Sequence, residues 1–483
     1  PRRRSCARRR RRHRPRAAAA SASSPVPPPP HSSQTAALAV ALAGCTGPRA
    51  TKPQPSSTAN LIRHVEVYTA GFRSIAEKYI RPLRIDDIAV DGLEGLTSID
   101  PALQAERRED NVRLLLDGQE IVSVETPGTM DARGWGEVTA SFEQAARRQS
   151  QLLNSAGDEK IYEAVFDGVL ADLDVFSRYA GAAEAKRNRA RREGFGGIGI
   201  RFKMIEGRFL VMKVQGNTPA AQAGIKVDDE IIEINNADVR SMKLRGVVNL
   251  LRGPVQSDVS VRVYRASKDQ QFEFTITRQH IVPNTVTTHI NKGVGYIKIS
   301  SFNQATAEGV AKALRKVRQK ANNNPKGLIV DLRGNPGGLL KQSVKVADLL
   351  LTHGHIVSTR GRHPDSLHHY EAGGRDLAEG IPIVVLVDGK SASASEIVAA
   401  ALQDRGRAVV VGTSSFGKGT VQTVVRLPND GEVALTWSRF IAPSGYALHG
   451  LGVRPVVCTS GVSNGPRAAL DRFERSKPEI RAT

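Results

Sequence analysis

Between residues 61 and 190 apolar side chains recur every three or four positions. Ile62, Val65, Tyr68, Phe72, Ile75 and Tyr79 predict a helix over 61–80, and Ile161, Val165, Val169, Leu173 and Phe176 a second over 161–176. Residues 118–124 predict a short strand between them. The stretches 89–96 and 164–171 are weakly alike, too loosely to establish a repeat. At Gly194 the texture changes to glycine-rich turns and β-branched runs. Strands are predicted over 209–214, 230–234 and 259–265, with a helix over 244–251. From 281 onward strands (295–299, 327–332, 383–387, 408–411) alternate with helices (305–321, 339–351, 393–402). That is the pattern of βαβ crossovers in an α/β layer. The polar stretch 461–483 is expected to fray.

Composition narrows this picture at one end of the chain. The 483 residues carry a formal charge of +21, which taken alone would point to a nucleic-acid binder. Thirteen Lys and Arg fall within residues 1–65, which hold no acid, so the remainder carries the difference, +8. Basicity therefore belongs to a leader, and no nucleic-acid partner is expected. Residues 1–33 are Arg-, Ala/Ser- and Pro-rich and cannot bury enough apolar surface to order themselves. The chain opens at Pro1 and not at Met, so this stretch reads as a truncated or over-extended frame. An apolar run, 35–44, then ends in Leu42-Ala43-Gly44-Cys45, behind a positive segment as in a signal peptide. Its end resembles the lipobox of bacterial lipoproteins, which implies acylation of Cys45. An Ala-rich leader with a chance cysteine and a plastid transit peptide are the alternatives. Residues 46–60 form a Pro/Ser linker. With Cys6, Cys45 and Cys458 the only cysteines, neither a disulfide framework nor a cysteine metal site is expected, and a processed, acylated chain would keep Cys458 as a lone thiol.

Three glycine motifs invite chemistry. Gly194-Phe-Gly-Gly-Ile-Gly199 fits G-x-G-x-x-G, but a charged helical tract precedes it and a strand-like run follows, the reverse of what a dinucleotide site needs. Gly196, Gly197, Ile198, Gly199 and Ile200 instead resemble the carboxylate-binding loop of a PDZ domain. There, consecutive backbone N–H groups capture a peptide C-terminus while the peptide adds as a strand. The run 217–236 is similar to a PDZ core, and the helix from Leu244 would then form the far wall of the groove. A purely structural β domain is the alternative. Gly412-Thr-Ser-Ser-Phe-Gly417-Lys418 misses a phosphate loop by one residue and leads into a β-branched run, so nucleotide hydrolysis is not expected. Asp331-Leu-Arg-Gly-Asn-Pro-Gly337-Gly338 follows an apolar strand; its glycines could bring backbone N–H groups to an oxyanion or could serve only a tight turn.

Asp388-Gly-Lys-Ser391-Ala-Ser393-Ala-Ser395-Glu396 lies between a strand and an Ala-rich helix, where Ser393 and Glu396 have capping-box spacing. No H-E-x-x-H or C-x-x-C occurs, and Lys418 stands between two glycines with Gln422 four residues on. The segments SASASE and GRAVVVGTSSFGKGTVQ, with DLRGNPGG upstream and a PDZ-like region before that, resemble the carboxyl-terminal processing (tail-specific) serine peptidases over residues 160–458. The stretches Thr413-Ser-Ser415 and Pro455-Val-Val-Cys458 depart from the expected form. The resemblance implies an α+β/α/β multidomain chain: an N-terminal mainly helical domain (61–190), a PDZ domain (191–280), a crotonase/ClpP-like βαβ-layered peptidase core (281–460) and a tail (461–483), behind a leader at 1–45. It implies Ser393 as nucleophile, Lys418 as general base and Gln422 as the residue orienting it. Ala394 N–H with that of Gly337 or Gly338 would form the oxyanion hole.

The chemistry is consistent with those residue types. A serine hydroxyl needs a base to take its proton, and a lysine can serve only when its pKa is brought down by desolvation; arginine cannot. Neither metal nor cofactor is expected. The expected partners are protein substrates with exposed, apolar C-termini, and an adaptor protein. The expected location is the bacterial cell envelope, periplasmic and lipid-anchored. A catalytically inactive PDZ scaffold is the alternative. Histidines 353, 355, 363, 368 and 369 cluster around one loop, as surface histidines commonly do.

Overall fold

A computed structural model describes residues 57–374, 376–461 and 465–476. The leader with Cys45 and most of the linker lie outside the described residues.

The first predicted helix spans Ser57–Lys78 and buries Tyr68, Phe72 and Ile75, with Tyr79 buried just past its end. It packs on helix Ala132–Gln149, whose Asp131 N-cap accepts from the Arg133 and Gly134 amides. The second predicted helix, Asp158–Ala171, stops five residues short of Phe176. Between these helices stands a three-stranded antiparallel meander (Leu103–Arg107, Asn111–Leu116, Gln119–Glu125) of which the sequence pattern betrayed one strand. Helices Ile85–Gly95 and Asp158–Ala171 cross with backbones in contact: a Cβ on Gly95 would lie 2.2 Å from Ala164 O, and one on Gly168 2.3 Å from Asp91 O.

The glycine-rich region folds as a separate sheet in the order Gln270–Thr277, Asp258–Arg265, Glu230–Ile234, Arg208–Val214, Ile200–Ile205. Helix Leu244–Leu251 lies against the same apolar core, into which Phe209, Ile231 and Val261 are fully buried.

The remaining core has two sheets. In the first, Val294–Ile299, Gly327–Asp331, Ile383–Val387, Ala408–Gly412 and Val457–Cys458 run parallel, with Val286–Asn291 antiparallel at one edge. Helices Thr306–Lys320, Leu340–Asp348 and Ala394–Asp404 connect these strands, as the alternating pattern required. The second sheet is ordered His368–Ala372, Gly354–Gly361, Glu432–Ile441, Thr420–Arg426. Arg178–Ala180 pairs with Glu432–Ile441 and stitches the helical region to it.

One expectation needs correction. The tail does not simply fray: Gly465–Ser476 is helical, with Ala469 buried against the strand before it. Among the described residues no helix is long and apolar enough to cross a membrane.

Candidate active site

Strands Gly327–Asp331 and Ile383–Val387 are parallel neighbours, so the turns leaving their carboxyl ends lie side by side, where α/β sheets place their sites. The first turn is 331–338. Asp331 is fully buried, accepts from the Arg333 amide at 2.9 Å and from the Arg333 guanidinium, and titrates near 2: burial raises its pKa, but Arg333 and Tyr296 outweigh that. Asn335 fixes the rest of the turn. Its carbonyl accepts from the Ala392 amide at 3.0 Å and from Ser395 Oγ at 3.0 Å, and its side-chain oxygen accepts from the Gly337 amide at 2.9 Å.

The second turn carries the three serines. Ser391 and Ser395 are fully buried: Ser391 Oγ donates to Leu332 O at 2.8 Å, and Ser395 Oγ to Asn335 O. Ser393 alone is partly exposed, at φ 55°, ψ −113°, a conformation a side-chain-bearing residue rarely adopts. Gly337 makes room for it, since a Cβ there would lie 2.9 Å from Ser393 Cβ and 3.1 Å from Ala394 N.

Glu396 then does more than cap its helix. Fully buried, it accepts from the Ser393 amide at 2.7 Å through Oε2, and the same oxygen accepts from the Lys418 amide at 2.9 Å. Its other oxygen accepts from the Gly417 amide at 2.7 Å and from Ser415 Oγ at 2.5 Å. One carboxylate thus draws together two backbone positions separated by 25 residues. Burial pushes its pKa up, while the four donors pull against that shift. The glycines flanking Lys418 permit this packing: a Cβ on Gly419 would meet His449 N at 2.4 Å, and Gly417, at φ 89°, lies against the backbone of 450–452.

The Lys418 side chain is only partly exposed, and its pKa is lowered by burial first and by the Arg178 charge second, with Asp174 and Glu396 opposing. Nζ lies 4.6 Å from the centre of the Phe176 ring. Among the described residues it is not hydrogen-bonded to Ser393 Oγ. Gln422, in strand Thr420–Arg426, donates to Thr420 Oγ1 at 3.0 Å and Thr436 Oγ1 at 3.2 Å, not to Lys418; Thr436 Oγ1 in turn donates to Asp174 Oδ1 at 3.0 Å. A cavity of about 1040 Å³ opens beside the Lys418 loop, lined by Tyr79, Arg81, Asp174, Phe176, Phe416 and Leu451 among others.

Asp174, Phe176 and Arg178 were missed by sequence reasoning. Phe176 was counted into the apolar stripe of a helix that ends before it, and nothing in local spacing ties residues 174–178 to a lysine 240 positions on. The motif 412–418 leads into strand Thr420–Arg426, so no phosphate loop is formed. The clustered histidines lie on and beside the hairpin of Gly354–Gly361 and His368–Ala372, with His355 and His369 stacked 4.3 Å apart, and among the described residues none bonds to Ser393.

In the PDZ-like region, Gly196 and Gly197 pair with His280 and Gln279. Ile198 points into the core at 2% exposure, Ile200 is half-buried and Leu244 exposed. Among the described residues the amides of Ile198 and Gly199 donate to no backbone acceptor.

Ser393, at φ 55° before a helix, thus lies against a glycine turn and is tied through Glu396 to the loop of a partly buried lysine, with a separate antiparallel sheet preceding this core. Residues 293–458 match peptidase family S41, and residues 196–276 match the PDZ domain. The carboxy-terminal-processing protease of Bartonella bacilliformis is 37% identical over 311 residues, 64% of this chain and 72% of that one. The carboxy-terminal processing protease CtpB of Bacillus subtilis is 35% identical over 315 residues, 64% and 65% of the two chains. Among solved structures, the photosystem II D1 C-terminal processing protease aligns with 84% of this chain and 96% of its own at 22% identity, with a TM-score of 0.40. The chain belongs to the carboxyl-terminal processing proteases, serine peptidases of family S41 that carry a PDZ domain.

Proposed function

We propose that the chain is a serine endopeptidase using a Ser393–Lys418 pair, with protein tails captured in the PDZ groove. The observation that carries this is the shared hydrogen bonding of the Ser393 and Lys418 amides to one Glu396 oxygen. With both backbones anchored, Lys418 needs only to swing its flexible stem from Phe176 to Ser393 Oγ. There the neutral amine takes the hydroxyl proton as oxygen attacks the scissile carbonyl, and later returns it to the leaving amine. Burial of Ser391 and Ser395 supports the choice among the serines. Gln422 orients Lys418 through Thr436 and Asp174, the chain of bonds that ends beside the amine.

For the oxyanion, the amides of Ala394 and Gly338 are the better pair. The Gly337 N–H already donates to Asn335, whereas neither Ala394 nor Gly338 has a recorded amide acceptor among the described residues. The groove walls Gly196–Ile200 and Leu244 hold the tail, and tethering it raises the local concentration of the scissile bond, so no deep side-chain pocket is required. We keep the divisions at 190/191 and 280/281 as the limits of the PDZ module.

The test is cleavage of casein and of a tail peptide. Ser393→Ala and Lys418→Arg should each lose at least about 10³-fold in kcat/KM while melting within a few degrees of the parent. Ser391→Ala and Ser395→Ala should retain measurable turnover at reduced stability. Turnover by Lys418→Arg equal to the parent would remove Lys418 from the reaction, and inactive scaffolding would be the surviving reading if the parent cleaves nothing.

The substrates are assigned to the bacterial cell envelope, with the chain periplasmic and anchored through acylated Cys45. An acid-free, Arg-rich stretch followed by an apolar run ending in Leu-Ala-Gly-Cys supports this. Radiolabelled palmitate should enter the expressed chain and be lost in Cys45→Ala; label that persists in that variant removes the anchor.

A further inference from the structure

Strand Ile200–Ile205 is the last in its sheet, and no described strand pairs with its outer side. That open edge is where an added peptide strand takes its hydrogen bonds. Along it Ile200 and Phe202 turn toward the apolar core, while Arg201 and Lys203 are exposed on the opposite face. The other wall begins with exposed Lys243 and Arg245 and ends at Arg252. Its end is tied to the carboxylate-binding loop, because the Gly253 amide donates to Gly196 O at 3.2 Å. Segments 195–205 and 243–252 therefore carry five cations and no acid. Among the described residues none of the five has an ion-pair partner. The contrast with the rest of the sheet is clear: Arg262 pairs with Glu233, Arg265 with Asp229 and Arg240 with Asp238. Arg252 lies with its guanidinium 3.8 Å from the Phe195 ring centre, at the mouth of the loop, and burial lowers its pKa. A desolvated cation with no counter-ion beside a loop that takes a terminal carboxylate is placed to complete itself with that carboxylate.

We infer that the groove selects C-terminal tails bearing acidic side chains, read by Arg201 and Lys203, with Arg252 adding charge beside the terminal carboxylate. The inference rests on the PDZ groove being a capture site for C-termini. It follows from strand geometry. In a peptide paired along Ile200–Ile205, alternate side chains point to opposite faces. The last residue and the third from the end turn into the groove, on the side of Ile200 and Phe202. The second and fourth from the end then stand on the side of Arg201 and Lys203, at cross-strand distance, where opposite charges attract and like charges repel. Apolar character at the last position and acidity at the alternate positions are thus separate requirements, met by different faces of one strand.

The test is fluorescence anisotropy on the full chain carrying Ser393→Ala, which keeps the peptide from being consumed. Three labelled decapeptides share an apolar last residue and differ only at the second and fourth positions from the end: both Glu, both Ala or both Lys. The Glu tail should bind about three- to ten-fold more tightly than the Ala tail, and the Lys tail more weakly than either. The spread should shrink as salt rises from about 50 to about 300 mM. The double variant Arg201→Glu/Lys203→Glu should invert the order, which a merely unfolded module would not do. Equal affinities for the three tails, or an order that survives the double variant, would overturn the inference. A fourth peptide, the Glu tail with an amidated end, separates this from failure of the underlying reading. If the free acid outbinds the amide but the side-chain charges make no difference, only the acidic selection is wrong. If free acid and amide bind alike, capture of C-termini is wrong and the selection falls with it.

Discussion

Lys418 stands in a conflict that its neighbours have been arranged to hold. Desolvation and the Arg178 charge favour the neutral amine, while Asp174 and the Glu396 carboxylate favour the cation, and the first pair wins. A general base must be unprotonated, so kcat/KM should climb as pH rises through a lysine pKa that lies below the ordinary 10.5. Arg178→Ala removes a like charge and should move that rising limb to higher pH, lowering the rate near neutrality. Arg178→Lys, which keeps the charge, should hold the limb in place. Asp174→Asn removes an opposing charge and should move it to lower pH. A limb that stays fixed in both charge-removing variants would mean that the titrating group is not Lys418. The stability linkage runs the same way. Because the folded chain binds the Lys418 proton less readily than the unfolded chain does, its contribution grows as pH rises between the folded pKa and 10.5. For Glu396, whose pKa is raised, stability declines as pH rises from 4.5 through the folded value.

At the scale of elements, hydrophobic period carried the reading wherever an element buries one regular face. Helix Leu244–Leu251 and strands Glu230–Ile234 and Ile383–Val387 begin and end where the sequence pattern placed them. The candidate-site turns stood out for a different reason: glycines and clustered serines between a strand and a helix, and an isolated lysine between glycines, are unusual sequence features. What stayed hidden was of two kinds. Strands Leu103–Arg107 and Asn111–Leu116 are short and charged on their outer faces, so their pattern does not separate from a loop. The weak likeness between 89–96 and 164–171 is not a repeat; in both, a glycine sits where two helices touch, Gly95 against Ala164 and Gly168 against Asp91. Contacts of that sort, like the one between Phe176 and Lys418, join distant segments through a single side chain or none, and no periodicity announces them. Glu396 was visible as a helix cap, but its second use, gathering the Lys418 loop, depends on a tertiary approach that spacing cannot encode.

Over the whole molecule, the strand Glu432–Ile441 belongs to two bodies at once. Its Val433 and Leu435 are fully buried in the same apolar cluster as Tyr68, Trp135 and Phe166 of the N-terminal helices. The strand Arg178–Ala180 extends its sheet, the Ile80 amide donates to Thr436 O at 2.9 Å, and Arg189 and Arg192 both pair with Glu432. The PDZ core, by contrast, draws its members only from residues 198–276. Helical region and peptidase sheet should therefore unfold as one cooperative unit, with the PDZ module free to melt alone. The two tryptophans lie on the two sides of that junction, Trp135 in the helical layer and Trp437 on the shared strand. Urea titrations of Trp437→Phe and Trp135→Phe, each leaving one reporter, should give coincident fluorescence transitions. Adding Leu435→Ala should shift both by the same amount, about 2–5 kcal/mol for a cavity in a fully packed site. Transitions that separate, or a Leu435→Ala effect confined to Trp437, would show that the helices are an appended domain. The contact of Phe176 with the lysine would then be a loose one between independent bodies, and Lys418 would have to owe its lowered pKa to the peptidase core alone.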